Sequence, residues 1–147
     1  MPHLLDNMIW NAITTGNSNI AVVDGDIGHY RSDIAPFAGM KEFNETNLRK
    51  LYDLLQPGSR VALSSLKKMD HDEGKWKLLQ AMDVTQMVYE YPVKTFITRN
   101  SEKIVPLTDE HIPQMLELTA LTKPGPFLQR TIDFGNYFGI FIDGRLA

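Results

Sequence analysis

The chain has 147 residues, 43% of them hydrophobic and 22% charged, a composition that suits one ordinary globular domain or two small ones. The 15 basic and 18 acidic residues leave a net charge of −3 and a pI of about 5.8, so neither nucleic acid nor an anionic membrane is the expected main partner. Cysteine is absent, which excludes disulfides, thiolate zinc sites and cysteine nucleophiles and suits a cytoplasmic, reducing setting.

At the N-terminus, Asp6, Asn7 and Asn11 interrupt the apolar run and no basic segment precedes it, so it does not read as a signal peptide. No window reaches the ~18 consecutive apolar residues of a membrane span. Leu5, Met8, Ile9 and Ala12 follow i, i+3, i+4, i+7 spacing, which predicts an amphipathic helix over roughly Pro2 to Thr14, with Trp10 in the core. Asn19 to Val23 predicts a short strand closed by Asp24-Gly25. Asp24 to Gly39 reads as irregular, with Phe37 plugging the core beneath it. Its Asp24-Gly25-Asp26 start is not a calcium loop, because the sixth position holds His29 instead of Gly and the twelfth Ala35 instead of Glu.

Asn44 or Thr46 can cap a second helix carrying Leu48, Leu51, Tyr52 and Leu55 at helical spacing, stopped by Gln56-Pro57-Gly58. Arg60 to Ser64 then predicts a strand, and the order strand, helix, strand points to a mixed sheet. Lys67 to Lys75 is a charged loop; Asp70-His71-Asp72-Glu73 lies in a polar turn where consecutive side chains diverge, and reads as solvated rather than as a metal site. Trp76 to Met82 and Val84 to Tyr91 predict two more strands, turning at Asp83. The rise in polarity over Arg99 to Lys103 sets a boundary near residue 98. The expected organisation is a mixed α/β domain over 1–98 and a second unit over 99–147.

The second unit opens with a predicted strand, Lys103 to Leu107. A helix follows from Thr108 or Asp109 to about Leu121. Asp109 and Glu110 complement its dipole, Pro113 is tolerable only in its first turn, and Ile112, Met115, Leu116 and Thr119 form its inner face. Pro124-Gly125-Pro126 makes a stiff turn. Phe127 to Phe134 predicts a second short helix, Tyr137 to Ile142 a strand, and Asp143-Gly144 a hairpin turn into a strand at Leu146-Ala147.

The order strand, helix, turn, short helix, strand, hairpin turn and strand, running from Ile104 to Leu146 with the string Leu118 to Gly139 inside it, resembles the opening of the GNAT superfamily of acetyl-CoA-dependent N-acetyltransferases. The resemblance is to members with an extra N-terminal domain. It implies an α+β (mixed α/β) fold: a small mixed-sheet N-terminal domain followed by the first half of a GNAT-like β-α-α-β-β unit. It also implies transfer of acetyl from acetyl-CoA to the amine of a small molecule or peptide. In that family the loop between the first two helices lines the acceptor side, which here points to Thr122, Lys123, Pro124, Gly125, Pro126 and Phe127, with Arg130 and Thr131 beyond. On residue types alone, the same segment reads first as a rigid turn with Phe127 as a core plug, and the family resemblance is what puts the acceptor-side reading level with it.

The family's coenzyme loop, Gln/Arg-x-x-Gly-x-Gly/Ala, holds pyrophosphate on backbone N–H groups at a helix N-terminus. It does not occur here: three residues after Arg130 stands Asp133. No residue is therefore expected to bind coenzyme or metal, and none can be given the role of catalytic base or acid. Other enzyme signatures, Gly-x-Ser-x-Gly, His-Glu-x-x-His and Gly-x-Gly-x-x-Gly among them, are also absent. The expectation is an acetyltransferase fragment that is inactive alone. The alternative is a non-catalytic interaction module that pairs through the exposed strand edge around Phe138, Ile140 and Phe141, for instance as a homodimer.

Overall fold

The computed structural model describes residues 3–66, 75–92 and 103–147. Within them the chain forms two units, Met1–Met82 and Asp83–Ala147. The expected boundary near residue 98 and the Asp70 to Glu73 turn both fall outside the described residues.

The first unit opens with a 3-10 turn, Leu4–Asn7, that leads directly into helix α1, Met8–Thr14. The entry is fixed by a reciprocal cap: His3 Nδ1 accepts from the Leu5 N–H at 3.1 Å, and Asp6 Oδ2 accepts from the His3 N–H at 2.8 Å. Strands β1 (Ala21–Asp24), β2 (Ile27–Tyr30) and β3 (Ala38–Met40) form an antiparallel sheet in that order. Asp24 to Gly39, expected to be irregular, thus contributes one whole strand and parts of two others. The reason is the turn: Asp24 pairs with Ile27, so Gly25-Asp26 is a two-residue hairpin loop, and Gly25 supplies the positive φ (57°) that such loops require. Asp24-Gly25 therefore reverses the chain, where the sequence reading had it only close a strand.

The register sorts side chains onto two faces. Gly28 faces Gly39 across β2 and β3, and α1 lies over that pair. A Cβ on Gly39 would stand 2.7 Å from Trp10 N, and one on Gly28 would stand 2.9 Å from Ile13 Cδ1. Trp10 is only half-buried because the sheet meets its backbone. On the opposite face, Ile27, Ala38 and Met40 pack with Leu51 of helix α2, Glu45–Leu54. Asn44 caps α2 by accepting from the Asn47 N–H at 2.9 Å. The unit is a helix–sheet–helix sandwich.

Three predicted strands are not formed. Arg60 to Ser64 supplies a single parallel bridge, Phe37–Ala62, so the sheet is antiparallel apart from that pair. Phe37 is half-buried. Trp76 to Met82 and Val84 to Tyr91 hold no strand or helix. β-propensity records fit to a half-buried pleated surface, and this stretch has none: Met87 is 90% and Tyr91 75% exposed. Trp76 is anchored. Its ring is T-shaped to Tyr52 at 5.7 Å, and its Nε1–H donates to the Leu48 carbonyl at 3.2 Å.

In the second unit, β4 (Ile104–Pro106), β5 (Phe138–Ile142) and β6 (Arg145–Leu146) form an antiparallel sheet with β5 central. Asp143 (φ 50°) and Gly144 (φ 78°) both take positive φ, the two-residue pattern that the sequence announces. Helix α3, Ile112–Thr122, follows a 3-10 turn, Asp109–His111, and has Pro113 within its first turn as expected. The second short helix shrinks to a 3-10 turn, Thr131–Phe134. Ile112, Met115 and Ile132 make the core, with Leu107, Leu116, Phe127, Tyr137 and Leu146 packed on it. Gly139 lets the sheet close on that core, since a Cβ there would lie 2.5 Å from Leu146 Cδ1 and 2.9 Å from Leu107 Cδ2. The arrangement is α+β, with helices packed on antiparallel sheets.

Candidate acceptor-side loop

Helix α3 positions everything that follows it. Its N-terminus is fixed by a capping box in which His111 Nδ1 accepts from the Thr108 N–H at 2.9 Å. The His111 ring also lies 5.4 Å from that of Phe141, which ties the helix start to β5. At the other end the Lys123 N–H donates to the Thr119 carbonyl at 2.8 Å, and Lys123 adopts the left-handed conformation (φ 49°, ψ 51°) that ends many helices. The Thr122 hydroxyl turns back onto its own helix, donating to the Leu118 carbonyl at 2.9 Å. Pro124, Gly125 (φ 141°) and Pro126 then carry the exposed chain away from the helix.

Beyond the turn, the side chains are committed to the fold. The Phe127 ring stands edge-on to Tyr137 at 6.0 Å, over the core. Thr131 is buried, and its Oγ1 accepts from the Leu128 N–H at 2.7 Å. The Arg130 guanidinium makes a two-pronged pair with Asp133, through Nε and Nη2, and a further pair from Nη1 to Asp109 at 3.1 Å. The hydrogen bonds to Asp133 and then Asp109 raise its pKa still further, so Arg130 is a permanent cation already shared by two carboxylates. Burial pushes the Tyr137 phenol above its usual value.

The eight candidate residues therefore do not form one cluster. Thr122 to Pro126 sit at the C-terminal end of α3. The Arg130 guanidinium sits at its N-terminal end beside Asp109. The 11 residues of α3 place those ends about 16 Å apart at ~1.5 Å per residue. Phe127 and Thr131 act as core and cap. The part of the candidate set open to a ligand is the exposed turn, with Lys123 as its charge.

Sequence reasoning missed Asp109 and Asp133 as the partners of Arg130. The Arg130/Asp133 spacing of three carried that signal. Among the described residues no group of three or more His, Asp or Glu could hold a metal ion, and no helix is long and apolar enough to cross a membrane. The glycine-rich loop expected to cradle a coenzyme pyrophosphate does not occur in the sequence, and among the described residues Arg130 is already paired with Asp109 and Asp133.

No protein-family model matches the sequence, and no curated protein does. Among solved structures, the chain is similar to a crystal structure from Novosphingobium aromaticivorans DSM 12444, of a protein assigned as an acetyltransferase of the GNAT family. The two are 26% identical and superpose with a TM-score of 0.74. The likeness covers 99% of this chain and 62% of that one, so the chain spans under two thirds of the other protein's length. The antiparallel β4–β5–β6 sheet, the helix between its first two strands and this match agree: the chain has a GNAT-type acetyltransferase fold.

Proposed function

We propose that this chain is the N-terminal part of a GNAT-type N-acetyltransferase and supplies the acceptor side of its active site. In the reaction an amine nitrogen attacks the thioester carbonyl of acetyl-CoA, the C–S bond breaks, coenzyme A leaves as the thiol, and the amine loses a proton. The observation that carries the reading is the fold likeness, at 26% identity over 99% of the chain, to a protein assigned to that activity. The turn Thr122 to Pro126 lines the acceptor, and Lys123 is its nearest cation. Residues 1–98 form the extra N-terminal domain. The coenzyme cradle is supplied from outside these 147 residues, so they turn nothing over by themselves, and the absence of cysteine suits work in a reducing cytoplasm. The test is release of coenzyme A thiol from acetyl-CoA by the whole protein in the presence of small amines and lysine peptides. Amine-dependent release supports the reading; none with any amine removes it.

A second reading has its own observation. β4 and β5 turn Ile104, Phe138 and Ile142 outward, at 55%, 60% and 56% exposed. A non-catalytic module could use that surface to pair with a second copy. Light scattering separates the readings: a dimer broken by Phe138→Lys, together with no acetyl transfer, favours the module.

A further inference from the structure

The connection from α3 to β5 has to hold an exposed Pro-Gly-Pro turn in place with little regular structure of its own. One end is fixed by the left-handed cap at Lys123. The other end is fixed at Arg130. Three other ion pairs among the described residues, Arg31–Asp33, Lys41–Asp26 and Lys75–Asp53, join side chains 46% to 63% exposed, the class that contributes little. Arg130 is 34% and Asp133 16% exposed and their contact is forked, while Asp109, 70% exposed, closes a third side from 21 positions upstream. The forked pair with Asp133 holds the 3-10 turn that follows the connection. The Asp109 pair ties that turn to the residues just before α3. Helix, connection and turn thus become a closed loop, with Pro124-Gly125-Pro126 at its far corner.

We propose that Arg130 is a positioning residue: by bridging Asp109 and Asp133 it sets where the Pro124-Gly125-Pro126 turn stands, and so how an amine is presented. This rests on the reading of that turn as the acceptor loop. It also withdraws Arg130 from direct recognition. A guanidinium held by two carboxylates is not free for an anionic group on the acceptor, so Arg130 acts through the backbone it anchors.

The test uses the whole protein with Arg130→Gln, Arg130→Lys and Asp109→Asn. The Asp109→Asn variant keeps the fork to Asp133 and cuts only the tie to α3, so it guards against an Arg130→Gln protein that fails to fold. Hydrogen exchange is read at the amides of Lys123 and Leu128, which are bonded to the Thr119 carbonyl and to Thr131 Oγ1, with β5 as the internal reference. Exchange at those amides rises about fivefold or more in Arg130→Gln and Asp109→Asn while β5 is unchanged, the mark of local loosening. Arg130→Lys, which keeps charge but not the fork, recovers part of the protection. With spermidine and a lysine peptide as probe amines, the amine KM rises about threefold to tenfold and the acetyl-CoA KM stays within about twofold. Unchanged exchange at the turn, or a rise shared equally by β5, overturns the proposal. A wild-type protein that transfers no acetyl removes the functional reading, while the exchange data still decide whether Arg130 holds the turn.

Discussion

Gly39→Ala tests whether helix α1 really rests on the backbone of the first sheet. Gly39 has an ordinary φ, so the alanine backbone itself is unstrained. Its Cβ, however, would lie 2.7 Å from Trp10 N and 3.0 Å from Trp10 Cα, and both are backbone atoms that no rotamer change can move aside. Carbon contacts settle at about 3.5–4.0 Å, so α1 must retreat by about 1 Å along its contact with β3. Such overpacking costs about 1–3 kcal/mol, against which the stiffer unfolded chain returns about 0.4–1 kcal/mol. A net loss of about 1–2 kcal/mol in a unit of 82 residues lowers the midpoint by roughly 4–16 °C at 4–8 °C per kcal/mol. The control is Gly16→Ala, where an added Cβ meets nothing within 4 Å and φ is not positive. It should leave the melting temperature unchanged or slightly raised. Thermal unfolding followed by far-UV circular dichroism reads both. If Gly39→Ala melts no lower than the parent, or Gly16→Ala falls as far, the close approach of helix to sheet is wrong.

Two further substitutions address the second unit. Thr131→Val keeps the volume but leaves the Leu128 N–H without the oxygen that holds it at 2.7 Å, in a residue only 5% exposed. The expected loss is about 1–3 kcal/mol in urea unfolding, with Thr131→Ser closer to the parent; equal stability of Thr131→Val and the parent would contradict the cap. Tyr137→Phe tests the half-buried phenol. Burial raises its pKa in the folded chain, while the unfolded chain ionises from about pH 10. The folded state therefore keeps a proton that the unfolded state gives up, and stability falls as pH rises above about 10. Tyr137→Phe should flatten that alkaline decline in urea midpoints measured across the range, and an unchanged slope would place the phenol in water.

What was legible in the sequence was local chemistry with strict geometric demands. Asp143-Gly144 between apolar runs allows few conformations, and the hairpin of β5 and β6 followed from it. Pro113 could sit only in a first turn, which set the start of α3. Pairing was less legible. Val84 to Tyr91 has the residues of a strand, but a strand also needs a partner to pair with, and this stretch pairs with no strand among the described residues. Conversely, β2 was missed because Gly28 and His29 break the usual apolar alternation. Only the register reveals that Gly28 and Gly39 are small to admit α1. The candidate loop was half legible. Its turn was announced by two prolines, yet the separation of Arg130 from Lys123 depends on the chain running back beside α3, which spacing along the sequence does not encode. The sequence shows the charge of Arg130 and not the two aspartates that already hold it.

Calorimetry with acetyl-CoA on residues 1–147 and on the whole protein tests most directly the division of labour proposed between acceptor turn and coenzyme cradle. The account predicts saturable binding by the whole protein and none, or only very weak heat, for residues 1–147. Micromolar binding by residues 1–147 would contradict it, because the pyrophosphate would then have a cradle within a chain whose glycine-rich loop is absent and whose Arg130 is already shared by Asp109 and Asp133.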